Sequence, residues 1–149
     1  MAKFEYAYSL HDDRNVGPAI HEFPIAASQT LLAGDLVYLD GGQVKIAGNS
    51  RASVLGVMAE SVTTPAENTM VRVQVAAPGQ VWRATAGADA SLHVLAAKTY
   101  DINADEQTVD VGDALSGCIL ILRLGDSTTD VYIMFTEFDL GSVRELGGG

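Results

Sequence analysis

Met70-Val71-Arg72-Val73-Gln74-Val75 alternates apolar and polar side chains without a break, and the chain soon returns as Gln80-Val81-Trp82-Arg83-Ala84. A period of two places the three valines on one face of a strand and Arg72 and Gln74 on the other. Between the two runs, Ala77-Pro78-Gly79-Gln80 fits a type II turn, in which proline fixes φ and glycine takes the left-handed position. The same grammar recurs upstream. Asp35-Leu36-Val37-Tyr38-Leu39 and Gln43-Val44-Lys45-Ile46 flank Asp40-Gly41-Gly42, a hairpin signal, and Val54-Leu55-Gly56-Val57-Met58 is a further short apolar strand. Short strands at close spacing with Gly/Pro turns predict a mainly β fold, a small barrel or sandwich.

The last third carries the most apolar strands. Ile119-Leu120-Ile121-Leu122-Arg123-Leu124 is apolar on both faces, which suits a central strand or a strand buried at a subunit interface. Val131-Tyr132-Ile133-Met134-Phe135 sets Val131, Ile133 and Phe135 on one side, and the polar run 125–130 before it reads as a loop. At most one short helix is expected, over Asp89 to Tyr100, where Asp89 can cap and Leu92, Leu95 and Ala96 form a stripe. A strand through Leu92-His93-Val94-Leu95 is the competing reading.

Residues 1–28 differ from the rest. Phe4-Glu5-Tyr6-Ala7-Tyr8 alternates like a strand, but a polar run from His11 to Asn15, then Gly17-Pro18 and Pro24, interrupts it. The segment therefore reads as an extended N-terminal arm whose Phe4, Tyr6, Tyr8 and Phe23 pack on a partner. Residues 29–140 form the expected β domain. Residues 141–149, closing on three glycines, form a flexible tail.

Charge narrows the function classes. The formal charge is −10, and the stretch from Asp101 to Asp139 holds nine acids against Arg123 alone. Such a surface repels phosphate backbones, which argues against nucleic-acid binding. The apolar runs are far too short for a membrane helix, and the polar N-terminus does not read as a signal peptide. The single cysteine, Cys118, cannot make an internal disulfide and suits a reducing compartment.

Catalytic patterns are missing from the sequence. The histidines, His11, His21 and His93, are scattered, and no Gly-x-Ser-x-Gly elbow or phosphate-binding glycine loop occurs. Cys118 begins an apolar strand, where a thiol is ordinarily an inert core group. One cysteine excludes the common structural zinc sites, and His11 with Asp12 and Asp13 reads as a solvated loop. The acidic run Asp101, Asp105, Glu106 and Asp110 lacks the glycine and closing glutamate of an EF-hand, so it reads as a solvated face. No enzyme, metal or cofactor is expected.

Leu31-Leu32-Ala33-Gly34-Asp35-Leu36-Val37, with Gly42-Gln43-Val44-Lys45, Val54-Leu55-Gly56-Val57 and Val71-Arg72-Val73-Gln74-Val75-Ala76 after it, resembles the decoration (cement) proteins of tailed-bacteriophage heads. The resemblance covers residues 25–85 and implies a compact, β-tulip-like domain without catalytic residues. It further implies a protein on the outer surface of the virion, assembled in the host cytoplasm, that clamps the major-capsid lattice as a homotrimer. On that reading Ile119, Ile121 and Trp82 are candidates for the subunit interface. The rival is a carbohydrate- or receptor-binding β module of a phage fibre or a secreted bacterial protein. Trp82 on an exposed concave face would favour that rival, and a buried Trp82 would favour the lattice protein. A third class, a small trimeric nucleotide hydrolase, has no motif in its favour.

Overall fold

A computed structural model describes residues 3–10, 17–48, 53–114 and 117–140. Among them are thirteen strands and no helix. In chain order these are β1 (Glu5–Ser9), β2 (Ile20–Pro24), β3 (Thr30–Leu31), β4 (Leu36–Asp40), β5 (Gln43–Ile46), β6 (Gly56–Met58) and β7 (Val62–Thr63). There follow β8 (Met70–Val75), β9 (Gln80–Thr85), β10 (Asp101–Asn103), β11 (Thr108–Asp110), β12 (Ile119–Leu124) and β13 (Asp130–Phe135).

The two main sheets have the orders β1-β9-β13-β12 and β2-β8-β6-β4-β5, with β3-β7 and β10-β11 as small accessory ribbons. Every strand pairing is antiparallel. Ile25, just past β2, bridges Val44 on β5, so the outer strands of the five-stranded sheet approach one another without closing a barrel.

Sequence and structure agree on the β4–β5 hairpin and on the turn after β8, which leads into β9 of the other sheet. Gly41 and Gly42, at φ 61° and 84°, turn β4 into β5 with Asp40 opposite Gln43, a geometry that a side-chain-bearing residue adopts only under strain. Gly79, at φ 87°, closes the turn between β8 and β9. On β8, Val71 and Val73 are buried, while Val75 at the strand's end is half-buried.

Two apolar clusters result. One lies in the curl of the five-stranded sheet: Ile25, Leu31, Val37, Val44, Leu55, Met58, Val71 and Val73. The other fills the space between the two sheets, where Phe4, Trp82, Tyr100, Ile119, Ile121, Ile133 and Phe135 meet Leu36, Val54 and Val57. Thus β6 is the shared wall, with all three of its residues buried and its two large side chains, Val57 and Met58, in different clusters. The doubly buried strand is β6, whereas β12 lies at a sheet edge with Ile119 and Ile121 inward and Leu120 and Leu122 half-buried.

Two other expectations are corrected. Residues 1–28 do not project as an arm where the structure describes them: β1 is the edge strand beside β9, and β2 is the edge strand beside β8. Phe4 is 1% exposed. Its alternating run lacked a visible partner in the sequence because that partner, β9, lies some seventy-five residues away. The polar run 11–16 and the tail 141–149 lie outside the described residues.

Asp89–Tyr100 is neither helix nor regular strand. The Asp89 carboxylate accepts hydrogen bonds from the Ser91 amide (2.9 Å) and hydroxyl (2.5 Å), a local turn that competes with helix initiation. Leu95 and Ala97 have positive φ, and the Leu95 amide donates to the Ile121 carbonyl on β12. The leucine stripe has nothing to pack on: Leu92 is 89% exposed.

Candidate interaction face

Alternation along the four-stranded sheet separates its two faces. Trp82, Ile133, Phe135, Ile119 and Ile121 point into the core. The residues between them, Arg83 on β9, Tyr132 and Met134 on β13, and Leu120 on β12, point the other way. A bulge after Ile121 brings Arg123 opposite Tyr132, and a second bulge after Tyr6 sets Tyr8 opposite Val81. An antiparallel sheet with one buried face ordinarily carries polar side chains on the other. Here aromatic, aliphatic and guanidinium groups occupy its centre, with the exposed Glu5 opposite Arg83 on β1.

The cations are held by the rings. The Arg123 guanidinium carbon lies 3.8 Å from the Tyr132 ring centroid and 5.9 Å from that of Tyr8. That of Arg83 lies 5.8 Å from Tyr132. These are cation–π distances, with Arg123 the closest. The Tyr8 and Tyr132 rings are 6.3 Å apart, and Arg123 Nε donates a long 3.4 Å hydrogen bond to the Tyr8 hydroxyl. That hydrogen bond is the main reason the Arg123 pKa is raised.

The two arginines differ in their partners. Arg83 forms a fork on Asp130, with Nε to Oδ1 at 2.9 Å and Nη2 to Oδ2 at 2.6 Å, and reaches Asp126 at 3.2 Å. This contact pushes the Arg83 pKa up and holds the Asp130 carboxyl below its ordinary value. Arg123 has no carboxylate within ion-pair distance among the described residues.

The residues expected to contact partners divide. Phe4, Trp82, Ile119 and Ile121 are core side chains, with Trp82 0% exposed, so their apolar character is spent within the chain. Rings link them: Phe4 and Trp82 each lie 6.0 Å from Phe135, and Tyr6 packs edge-on against Trp82 at 5.7 Å. Phe23 is half-buried and leans on the aliphatic cluster. Of the named set, Tyr8 alone belongs to the aromatic–cation face. Tyr132 could have been added from the alternation of its strand, whereas Arg83 and Asp130 needed the β9–β13 pairing.

The remaining polar groups are engaged locally. A cleft of about 320 Å³ is lined by Lys3, Glu5, Arg83, Asp126 and Asp130, but Arg83 is held as described. Lys3 Nζ lies 3.2 Å from Asp35 Oδ1, close enough for an ion pair but off the line of a hydrogen bond. A second cleft, about 570 Å³, contains Asp89, His93, Glu106 and Asp110. Asp110 accepts from the Gly112 amide and Glu106 from Asn103, so these carboxylates turn to their own loops. Among the described residues no three His, Cys, Asp or Glu side chains are grouped as a metal site. His93 Nδ1 lies 2.8 Å from the Tyr100 hydroxyl, His21 is exposed on β2, Cys118 is buried and in no disulfide, and His11 lies outside the described residues.

The Leu31–Val37 stretch has a structural role. Gly34 takes φ 94°, the buried Asp35 accepts the Leu32 amide through Oδ2 (2.9 Å), and the Asp35 carbonyl accepts the Met58 amide. The Gly34 carbonyl accepts the Phe4 amide, so one turn joins the N-terminal strand to β6. No protein-family model and no curated protein matches the sequence.

Proposed function

We propose that this chain is a non-enzymatic decoration (cement) protein of a tailed-phage head, binding the outer face of the major-capsid lattice as a homo-oligomer, with a trimer expected. The reading rests on the resemblance carried by Leu31–Val37 and its continuation through Ala76. In the fold those residues supply β4, β5, β6 and β8 of the five-stranded sheet, and their buried side chains are shared between the two clusters. Supporting it further, Trp82, the side chain on which the sugar-binding rival depended, is buried among Tyr6 and Phe135 and offers no platform.

Function on this reading comes from surface matching. The exposed loops would meet the capsid, the aromatic–cation face would remain for contacts between copies, and the two-sheet body would transmit load between neighbouring capsid subunits. The decisive experiment mixes purified protein with undecorated expanded heads. Saturable binding at a fixed ratio to capsid subunits, with heads made more resistant to heat, is the expected outcome. Absence of binding to any expanded head, together with affinity for a glycan, would replace this reading with the rival.

A further inference from the structure

We infer that the outward face of the four-stranded sheet, formed by Tyr8, Leu120, Arg123, Tyr132 and Met134, docks a second copy of this chain, with Arg123 of one copy donating to Asp126 of the other. This deepens the self-association part of the proposed function, but it stands on the geometry of the face.

Composition singles the face out first. Tyrosine, methionine and arginine are the side chains enriched where proteins meet, and lysine, aspartate and glutamate are depleted there. The rings of Tyr8 and Tyr132 fix Arg123 from two sides, so little side-chain freedom remains to be lost on contact. Its outer guanidinium hydrogens are left without a carboxylate, in a chain where acids outnumber bases by ten.

Charge complementarity then selects the occupant. Asp126 is the converse of Arg123. Its side chain is 94% exposed, and it shares Arg83 with the better-placed Asp130. The one chain thus presents a cation with no carboxylate partner among the described residues and an exposed carboxylate that has only a share of Arg83, the two joined through Arg83 and Tyr132. A second copy supplies the complement of each. An acidic partner of another kind would satisfy Arg123 and add repulsion to Asp126. A basic one would do the reverse.

The sign of the charges can be exchanged, which makes the test direct. Sedimentation velocity on the full chain would compare wild type with Arg123→Glu, Asp126→Arg and the double variant, circular dichroism confirming the fold of each. Wild type should sediment as an oligomer. Either single reversal sets like charges opposite one another and should shift the species towards the 15.7 kDa monomer. The double variant should reassemble. Asp126→Arg, on an exposed loop, carries the test even if Arg123→Glu fails to fold. A monomeric wild type, an oligomer indifferent to the folded single reversals, or a double variant that stays apart would each overturn the inference. Head binding is scored separately: protein that assembles through this face yet ignores heads would sink the capsid reading alone, and protein that decorates heads as a monomer would sink this inference alone.

Discussion

The two apolar clusters are built from different materials. In the one in the curl of the five-stranded sheet the buried members are all aliphatic and all come from residues 25–73. The one between the sheets contains Phe4, Trp82, Tyr100 and Phe135, with Ala47, Ala76, Ala84, Ala86 and Ala90 among them, and draws on the chain from residue 4 to residue 135. Large rings need small neighbours if an interior is to fill without voids, which accounts for the alanines. Branched aliphatics of similar size interlock without them. Apart from β2, which pairs β8 across about fifty positions, the aliphatic cluster is closed by the β4–β5 hairpin and short connections, whereas the aromatic one needs the more distant pairing of β1 and β13 with β9. One half of the molecule is thus specified more locally than the other.

The sharpest way to break this contrast is to remove the first nine residues. The aromatic cluster would lose Phe4, and β9 would lose its edge partner β1. Truncating a buried phenylalanine alone costs about 3–5 kcal/mol, and the strand is lost as well. The deletion is expected to abolish cooperative thermal unfolding monitored by circular dichroism. A shortened chain that still melts cooperatively near the wild-type temperature would return β1 to the status of a dispensable arm.

Point substitutions then compare the clusters directly. Trp82→Ala should cost about 3–5 kcal/mol in urea denaturation, because the rings of Tyr6 and Phe135 would face a void. Val73→Ala, in the aliphatic cluster, should cost about 2 kcal/mol, the transfer of two methyl groups plus a small cavity. Equal costs would mean that the distinction between the clusters has no energetic content.

Gln107 tests what ties the far ribbon to the body. It is buried in the β10–β11 turn with φ 54°; its Oε1 accepts the Leu36 amide at 2.8 Å, and its Nε2 donates to the carbonyls of Ala47 and Ala104. Gln107→Ala leaves these groups buried without partners and should cost about 2–3 kcal/mol. Amide exchange should rise at Leu36 more than at Val73. A uniform rise would show that the ribbon and the body open as one unit.

The same division explains what could be read from the sequence. Hairpins and alternation are local, so β4, β5, β8 and the turns at Gly41-Gly42 and Gly79 were legible. Pairing between distant strands is not, and this is where Phe4, Trp82, Ile119 and Ile121 were assigned to partners when the chain itself covers them. Asp89–Tyr100 misled differently. Its apolar spacing is helical, yet the Asp89–Ser91 turn and the hydrogen bond from Leu95 to Ile121 hold it in another path. On the aromatic–cation face, Tyr8 was legible because aromatics at alternate positions are conspicuous. The salt bridge from Arg83 to Asp130 was hidden by a separation of 47 positions.

That salt bridge supplies the smallest expected effect, and its counterpart on the other sheet serves as the control. Asp130 is largely covered and receives two hydrogen bonds from Arg83, the main cause of its lowered pKa. Asp40, ion-paired with Lys45 at 2.7 Å, is 55% exposed, and water competes for both partners. A carboxylate with a folded-state pKa below its ordinary 3.8 binds protons less readily folded than unfolded. Its stabilising contribution is therefore complete above that ordinary value and disappears as pH falls through the lowered one. Asp130→Asn should lower the urea midpoint at pH 7 by less than Val73→Ala does, and the deficit should fade below about pH 3.8. Asp40→Asn should leave the midpoint unchanged at both pH values. If the Asp130→Asn deficit persists undiminished in acid, the carboxylate charge is not what stabilises β13, and the neutral hydrogen bond from the Asp126 amide takes its place.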